Sequence, residues 1–260
     1  MNPHESGYKK VNGIELYYEV YGSGKPVTLV HGGGSSIRLD FSEVIERASD
    51  EFKLIGIDLQ NHGRSQHRQV PETFEQDAKD VVGLLAAIGV AKSSFFGFSN
   101  GATTVLQIAH LFPERVEKVI AASGVVKRHG MIDGFFEGMN NATIDHMPGY
   151  LKENFLQLNA DNGPEKLQNM FEKDSQRMVH FEDLDDKVLT AIQAPTLLIS
   201  GDRDVIKVEH VAEMNKLLPN SRLMILPAGH GSFMMADENR VVNEQLIDFT
   251  VAQIRNFIKL

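Results

Sequence analysis

The chain has 260 residues, 42% of them hydrophobic, which is enough to bury one sizeable core or a core with an inserted subdomain. It contains no cysteine, so disulfides, thiolate catalysis and cysteine-based metal sites are excluded. The net charge is −9 and no stretch concentrates Lys and Arg, which argues against nucleic acid and anionic membrane surfaces as partners.

The N-terminal sequence MNPHESGYKKVNG lacks the apolar region of a secretory signal peptide. No window approaches the roughly 18 apolar residues that a membrane-spanning helix needs. We therefore expect a cytoplasmic protein without a membrane partner. The sequence leaves the oligomeric state open.

Short apolar runs alternate with amphipathic stretches along most of the chain. The predicted elements, in chain order, cover Ile14–Tyr21 (strand), Pro26–Val30 (strand), Phe41–Ala48 (helix), Phe52–Leu59 (strand), Thr73–Gly89 (helix), Ser93–Phe98 (strand), Gly101–Phe112 (helix), Lys118–Ala122 (strand), Pro195–Ser200 (strand), Val208–Leu218 (helix), Arg222–Leu226 (strand) and Asn239–Ile258 (helix). Strands that alternate with helices indicate βαβ units. The sequence therefore predicts an α/β fold, with a mostly parallel central sheet and helices on both faces.

The alternation is interrupted once, between Ser123 and Pro195. Residues 125–190 show no strand pattern and are rich in Met and Phe. We interpret them as a helical lid inserted into a core formed by residues 1–124 and 191–260. The other interpretation is an ordinary helical layer whose Met and Phe side chains belong to the core. A lid would line an apolar pocket over the reactive group, and the candidate lining residues are Phe135, Met139, Met147 and Phe171.

The sequence GFSNG, from Gly97 to Gly101, lies where a predicted strand meets a predicted helix. A side chain at such a turn can be held in a strained conformation with its oxygen exposed. A Cβ at either flanking glycine would collide with the neighbouring strand and helix. The N-terminus of the following helix favours negative charge that develops there. Ser99 is therefore a candidate nucleophile, and the alternative is a glycine-rich turn with an incidental serine.

A serine hydroxyl needs a base, and ten histidines are candidates. His230 directly follows a predicted strand, in the glycine-flanked segment PAGHGS, at the edge of the sheet where the Ser99 turn is expected. His31 and His62 also follow strands, whereas the other histidines fall in predicted helices, the lid or the N-terminal tail. His230 is the predicted base.

The base in turn needs an acid that holds its tautomer. The predicted strand PTLLIS runs into GDRD, and either aspartate of this segment, Asp202 or Asp204, fits the role. No acidic residue follows the earlier strand that ends at Ala122. The order of nucleophile, acid and base along the chain is typical of one fold.

With these segments identified, the chain resembles the α/β-hydrolase fold superfamily, in particular its lid-bearing, esterase-like serine hydrolases, which are similar to enol-lactonases and C–C bond hydrolases. The resemblance covers residues from about 12 to 258. The motifs that carry it are His31-Gly32-Gly33-Gly34, Asp58 with His62-Gly63-Arg64-Ser65, Gly97–Gly101, Gly201-Asp202-Arg203-Asp204 and Gly229-His230. One departure is Asn61, which stands where related chains have a glycine. Because asparagine tolerates positive φ well, we expect this turn to be preserved and His62 to be structural.

The resemblance implies roles for individual residues. The second aspartate of the GDRD segment, Asp204, would be the acid, and Asp202 would shape the turn. Two backbone N–H groups would hold the oxyanion of the intermediate. One belongs to Asn100, which directly follows the nucleophile, and the resemblance assigns the other to Gly33. His31 would brace its loop.

The leading hypothesis is a serine hydrolase that cleaves an ester, thioester or lactone of a small molecule, without a metal or other cofactor. A second hypothesis is C–C bond or enol-lactone hydrolysis in aromatic degradation, for which a cation near the base of the lid is expected to meet a substrate carboxylate. Lys127 and Arg128 are available there, although the favoured interpretation of them is a solvated pair. A third is a non-catalytic receptor or scaffold on the same fold, and the complete triad argues against it. The Met and Phe content of the lid favours an apolar acyl group, since Met adapts to varied shapes.

Overall fold

A single sheet of eight strands runs through the chain, which the computed structural model describes from residue 1 to residue 260. The strands are β1 (Glu5–Val11), β2 (Ile14–Tyr21), β3 (Lys25–Val30), β4 (Phe52–Ile57), β5 (Ser93–Phe98), β6 (Val116–Ala122), β7 (Thr196–Gly201) and β8 (Ser221–Leu226). Their order across the sheet is β1-β2-β4-β3-β5-β6-β7-β8. The β1–β2 and β2–β4 pairs are antiparallel, and every other pairing is parallel.

Helices cover both faces of the sheet. They are α1 (Ile37–Ala48), α2 (Phe74–Ala87), α3 (Asn100–Leu111), α4 (Phe135–Asn140), α5 (Gly149–Leu158), α6 (Gly163–Val179), α7 (Asp186–Thr190), α8 (Val208–Leu217) and α9 (Glu244–Lys259). In β5, Phe95 packs into a core cluster with α2 and α3, whereas Phe96 packs into a second cluster with α1 and α9. Successive strand side chains point to opposite faces, so this central strand needs helices on both sides. The predicted fold class is confirmed.

The elements differ from the prediction mainly at the two ends of the chain. The first strand, β1, has no predicted counterpart. It is a largely exposed edge strand whose side chains show no apolar alternation, and its pairing with β2 defines it. The last helix begins at Glu244 rather than at Asn239, because the side chain of Asn243 accepts a hydrogen bond from the N–H of Leu246 and caps it.

The chain between β6 and β7 forms the helices α4 to α7, two 3₁₀ turns (Arg128–Gly130 and Ile144–His146) and an isolated bridge between Met131 and Ile206. The apolar side chains of this segment belong to two separate hydrophobic clusters. Phe136, Met178 and Phe181 belong to the large core cluster that also contains α2 and α3. A separate small cluster consists of Met147, Phe155, Leu167 and Met170. No helix of the chain combines the length and the apolar character needed to cross a lipid bilayer.

Candidate active site

Ser99 lies at the turn from β5 into α3, in a backbone conformation that side chains rarely adopt. Its φ is 53° and its ψ is −121°. A Cβ on Gly97 would lie 2.1 Å from the carbonyl oxygen of Gly101, and a Cβ on Gly101 would lie 2.1 Å from the carbonyl oxygen of Val30. Only glycine fits at both flanking positions, so the two glycines allow the sharp turn that presents the serine.

The structure brings Ser99, His230 and Asp204 into one line of hydrogen bonds. The Ser99 hydroxyl lies 3.2 Å from Nε2 of His230, and Nδ1 of His230 lies 2.7 Å from Oδ1 of Asp204. The three residues follow β5, β8 and β7, whose carboxyl ends meet at the same edge of the sheet. With Nδ1–H donating to the carboxylate, Nε2 is free to accept the serine proton.

The Asp204 carboxylate is buried and held by further hydrogen bonds. Oδ1 accepts from the N–H of Ile206 at 3.1 Å, and Oδ2 accepts from the hydroxyls of Ser123 and Ser200. Burial alone would raise the pKa of this carboxyl, but the hydrogen bonds from His230 and Ser123 outweigh it, so the pKa of Asp204 is lowered. Sequence reasoning missed Ser123, although its place at the end of β6 was a usable signal.

Asp202 has a different role from Asp204. Its Oδ1 accepts a hydrogen bond from the N–H of Ala228 at 3.0 Å, which ties the loop after β7 to the loop after β8. The structure therefore brings Asp204, and not Asp202, into contact with His230.

The segment from His31 to Gly34, called the glycine loop below, lies against Ser99. A Cβ on Gly32 would lie 3.1 Å from Cβ of Ser99. The N–H of Gly32 donates to Asp40 at 2.8 Å, and the N–H of Gly34 donates to Asp174 at 2.5 Å. The N–H of Gly33, between them, donates to no protein acceptor.

Asn100 is the first residue of α3, so its N–H is one of the amides that a helix N-terminus leaves without an intrahelical acceptor. The side chain of Asn100 also reaches the glycine loop, because its Nδ2 lies 2.8 Å from where a Cβ on Gly33 would be. Two backbone amides without a protein acceptor therefore lie next to Ser99, one in the glycine loop and one at the start of α3.

His31 connects two of the loops. Its Nδ1–H donates to the carbonyl oxygen of Gly32 at 2.7 Å, and its Nε2 accepts from the N–H of Leu59 at 3.0 Å. Burial, reinforced by the nearby charge of His62, lowers the pKa of His31 to about 3. A neutral His31 therefore links the glycine loop to the chain that follows β4.

His62 contacts α6, one of the helices inserted between β6 and β7. Its Nδ1–H donates to the carbonyl oxygen of Gln60 at 2.8 Å, and its Nε2–H donates to Oδ2 of Asp174, on α6, at 2.8 Å. Burial disfavours the imidazolium, but the Asp174 carboxylate outweighs burial and raises the pKa of His62 to about 9. The preceding Asn61 has φ 63°, the left-handed conformation expected there. Sequence reasoning missed Asp40 and Asp174, which carry no local motif.

The candidate pocket residues fall into two groups. Cε of Met147 lies 3.2 Å from where a Cβ on Gly34 would be, and Phe171 packs against the small cluster to which Met147 belongs. Phe135 and Met139 instead pack against the large core cluster. The structure thus brings one of the four, Met147, against the glycine loop.

The two cations at the base of the inserted segment are occupied by local contacts. Lys127 pairs with Asp186 at 2.8 Å. The guanidinium of Arg128 lies 3.7 Å from the centre of the Phe136 ring and donates to the carbonyl oxygen of Phe181.

One group of side chains, His129, His210 and Glu213, has its nitrogen and oxygen atoms within 4.8 Å of one another, as a metal site would require. However, Nε2 of His210 accepts a hydrogen bond from the N–H of Val126 at 3.1 Å. The neutral ring must therefore carry its proton on Nδ1, the atom that faces Glu213 at 3.7 Å, and offers no lone pair there. The donor set fits a hydrogen bond between His129 and Glu213 beside the buried His210 ring, rather than a metal centre.

Comparison with known proteins identifies relatives along nearly the whole chain. The family model for the alpha/beta hydrolase fold matches residues 25–182. The serine hydrolase BPHL of Homo sapiens is 27% identical over 253 residues, which cover 91% of this chain and 84% of that protein. The non-heme haloperoxidase of Rhodococcus erythropolis is 25% identical over 268 residues, with 92% of this chain and 96% of that protein covered.

Solved structures give the same result for the fold. The enol-lactonase from Burkholderia xenovorans superposes with a TM-score of 0.75, covering 98% of this chain and all of that one, at 19% identity. At this identity the similarity establishes the architecture, and the chemistry has to be argued from the site itself.

Proposed function

Because the chain belongs to the alpha/beta hydrolase fold family, we propose that it is a serine hydrolase that cleaves an ester, thioester or lactone of a small apolar acyl substrate. The observation that carries the proposal is the line of hydrogen bonds from Asp204 through His230 to Ser99. Each member follows a different strand, so their convergence is a property of the fold and not of one local motif.

In the proposed first step, the Ser99 oxygen attacks the carbonyl carbon of the substrate while Nε2 of His230 takes the hydroxyl proton. The imidazolium that results is stabilised by the buried Asp204 carboxylate, which remains ionised because its pKa is lowered. The strained backbone of Ser99 keeps the nucleophile exposed at the edge of the sheet.

The negative charge of the tetrahedral intermediate would be held by the N–H groups of Gly33 and Asn100. The unpaired state of the Gly33 amide between two hydrogen-bonded neighbours supports this assignment. Collapse of the intermediate expels the alcohol, thiol or ring oxygen, which takes the proton from His230, and leaves an acyl group on Ser99. Water, deprotonated by His230, then attacks the acyl-enzyme. The second tetrahedral intermediate collapses, releases the acid and returns the proton from His230 to the Ser99 oxygen. Every proton in this cycle passes through His230.

We propose residues 125–190 as the lid that selects the acyl group. The contact between Met147 and the glycine loop supports this role, and Phe171 packs against the apolar cluster to which Met147 belongs. Phe135 and Met139 pack on the core, so they are weaker candidates.

Carbon–carbon bond or enol-lactone hydrolysis of a carboxylate-bearing substrate finds less support. Such a substrate needs a cation at the base of the lid to bind its carboxylate. However, Lys127 forms an ion pair with Asp186. The guanidinium of Arg128 stacks on the Phe136 ring and donates to the carbonyl oxygen of Phe181. A non-catalytic scaffold role gives no reason for the aligned hydrogen bonds between Ser99, His230 and Asp204.

The proposal is tested with a fluorophosphonate and a panel of p-nitrophenyl esters of increasing chain length. The wild-type protein should be labelled at Ser99 and hydrolyse short or medium esters. Ser99→Ala should fold normally, lose the label and lose about 10⁴–10⁶ in kcat. Ser232→Ala, which changes another serine in the His230 loop, is the matched control and should keep the label. Labelling at a residue other than Ser99, or no turnover of any ester, would overturn the proposal.

A further inference from the structure

We propose that Asp174, which the inserted helix α6 carries into the glycine loop, is a positioning residue that completes the oxyanion hole when this helix is docked. The inference rests on the proposed function, since it concerns the loop that would hold the oxyanion. It gives the inserted segment a second role besides that of lining the acyl pocket.

The two ends of the glycine loop are fixed from different parts of the chain. The N–H of Gly32 is held by Asp40, which belongs to α1 of the core. The N–H of Gly34 is held by Asp174, which belongs to α6 of the insertion. This N–H also lies 3.2 Å from Nε2 of His62, which cannot accept from it while it donates its own proton to Asp174. Gly34 has φ +66°, a left-handed conformation that glycine adopts without the strain of a side chain. The orientation of the Gly33 amide between them therefore depends on both carboxylates.

The Asp174 carboxylate also packs directly on Gly33. Its Oδ2 lies 3.1 Å from where a Cβ on Gly33 would be, beside Nδ2 of Asn100 at 2.8 Å. A side chain from α6 thus contacts the same residue whose N–H would bind the oxyanion. Loss of the Asp174 side chain would leave no residue of the insertion hydrogen-bonded to the amides of the loop.

A carboxylate beside the oxyanion hole would oppose the developing negative charge unless its own charge were neutralised. His62 supplies that neutralisation, because its Nε2–H donates to Oδ2 of Asp174 at 2.8 Å. Its raised pKa, about 9, keeps the ring charged at neutral pH. Asp174 can therefore hold the Gly34 amide without adding net charge to the site.

Burying the ion pair of Asp174 and His62 costs desolvation energy, so this pair stabilises the attachment of α6 inefficiently. The Asp174 side chain is only 14% exposed, and its Oδ1 is buried without a hydrogen-bond partner. A buried ion pair often stabilises a fold no better than apolar side chains of the same volume. Arg177, on the same helix, already ties α6 to Glu72 and Asp77 through buried ion pairs. Since Arg177 already attaches the helix, the hydrogen bond from the Gly34 amide gives a reason for a carboxylate at position 174.

The test compares Asp174→Ala and Asp174→Asn with a matched control, Asp80→Asn. Asp80 is likewise buried and paired with a cation, Arg68, at 2.7 Å, but it does not contact the glycine loop. We expect Asp174→Ala to lower kcat about 10²-fold with KM changed less than about threefold, because the loss falls on the transition state. Inhibition by an aryl boronic acid, whose adduct on Ser99 is an anionic tetrahedron, should weaken by a similar factor.

Asp174→Asn retains an acceptor for Gly34 and should recover most of the lost kcat, whereas Asp80→Asn should stay within about twofold of the wild-type kcat. The exchange of the Gly34 amide with deuterium, followed by NMR, gives a readout that does not depend on turnover. It should accelerate about tenfold or more in Asp174→Ala relative to Asp80→Asn, while exchange at Gly32 is unchanged.

The outcomes separate the two proposals. If the wild-type protein hydrolyses no ester but Gly34 exchange accelerates only in Asp174→Ala, the proposed function fails, and Asp174 is shown to hold the loop but not to complete an oxyanion hole. If the wild-type protein is active and Asp174→Ala loses no more kcat or boronate affinity than Asp80→Asn, the positioning role is overturned.

Discussion

The loops at the carboxyl edge of the sheet and the inserted helices hold the site by different means. In the loops, backbone geometry fixes the reactive groups: Ser99 is locked by its flanking glycines, and His230 follows β8 within a few residues. The insertion acts through side chains, with Asp174 and Met147 reaching the glycine loop. Changes in the loops should therefore alter the chemistry or the fold, whereas changes to Met147 and Phe171 in the insertion should alter substrate range.

After Ser99 itself, the largest effect is expected within the loops, at the two aspartates of the GDRD segment. Asp204→Asn should lower kcat about 10⁴-fold, because His230 would lose the partner that holds its tautomer. Asp202→Asn should cost far less, since Asp202 accepts only from the N–H of Ala228. Steady-state kinetics and circular dichroism on both variants decide this. A folded Asp202→Asn that is the more damaged enzyme would reverse the two roles.

The loops and the insertion should also differ in how an added methyl group changes the free energy of unfolding, which Gly101 and Gly138 test. Gly101→Ala places a Cβ 2.1 Å from the carbonyl oxygen of Val30, so the free energy of unfolding should fall by about 3 kcal/mol or more. Gly138, inside α4, has nothing within 4 Å of its added Cβ, so Gly138→Ala should raise the free energy of unfolding by about 0.5–1 kcal/mol. Urea unfolding measures both. If the two substitutions changed the free energy of unfolding equally, the loops and the insertion would not differ in their tolerance of an added Cβ.

Within the insertion, the apolar side chains should separate into two classes. Met147→Ala and Phe171→Ala should remove about 1–3 kcal/mol of contact with a matching acyl group and shift the chain-length optimum. Phe135→Ala and Met139→Ala should lower stability without such a shift, because they pack on the core. Ser99 should remain fully labelled by a small fluorophosphonate in all four. An unchanged chain-length profile in all four variants would contradict the lid proposal.

The smallest effect is a pH dependence at the junction of the two regions. Burial opposes the His62 imidazolium, but Asp174, with Glu72, raises its pKa to about 9, above the ordinary 6.5. The stability that this proton contributes is full below pH 6.5 and is lost as pH rises through about 9. The difference in unfolding free energy between the wild type and Asp174→Asn should therefore shrink from pH 7 to pH 10. A difference that stays constant over this range would show that His62 does not titrate there.

Most of the fold could be predicted because its signals are local. Apolar runs and helical periodicity gave β2 and β5 with their observed bounds, Ile14–Tyr21 and Ser93–Phe98. The edge strand β1 could not be found this way, because an exposed strand has little apolar alternation and is defined by its partner. The bounds of α9 depend on a cap at Asn243, which a short-range pattern locates poorly.

The sequence by itself determined the position of the serine turn, of the histidine after β8 and of the aspartates after β7, since glycines and strand ends mark these points locally. Only the tertiary structure decided which aspartate meets His230 and which amide of the glycine loop is left without an acceptor. It alone placed Asp174 and Ser123 beside those groups. These contacts join residues far apart in the chain, and a hydrogen bond depends on ångström distances in space, which no local pattern of residue types records.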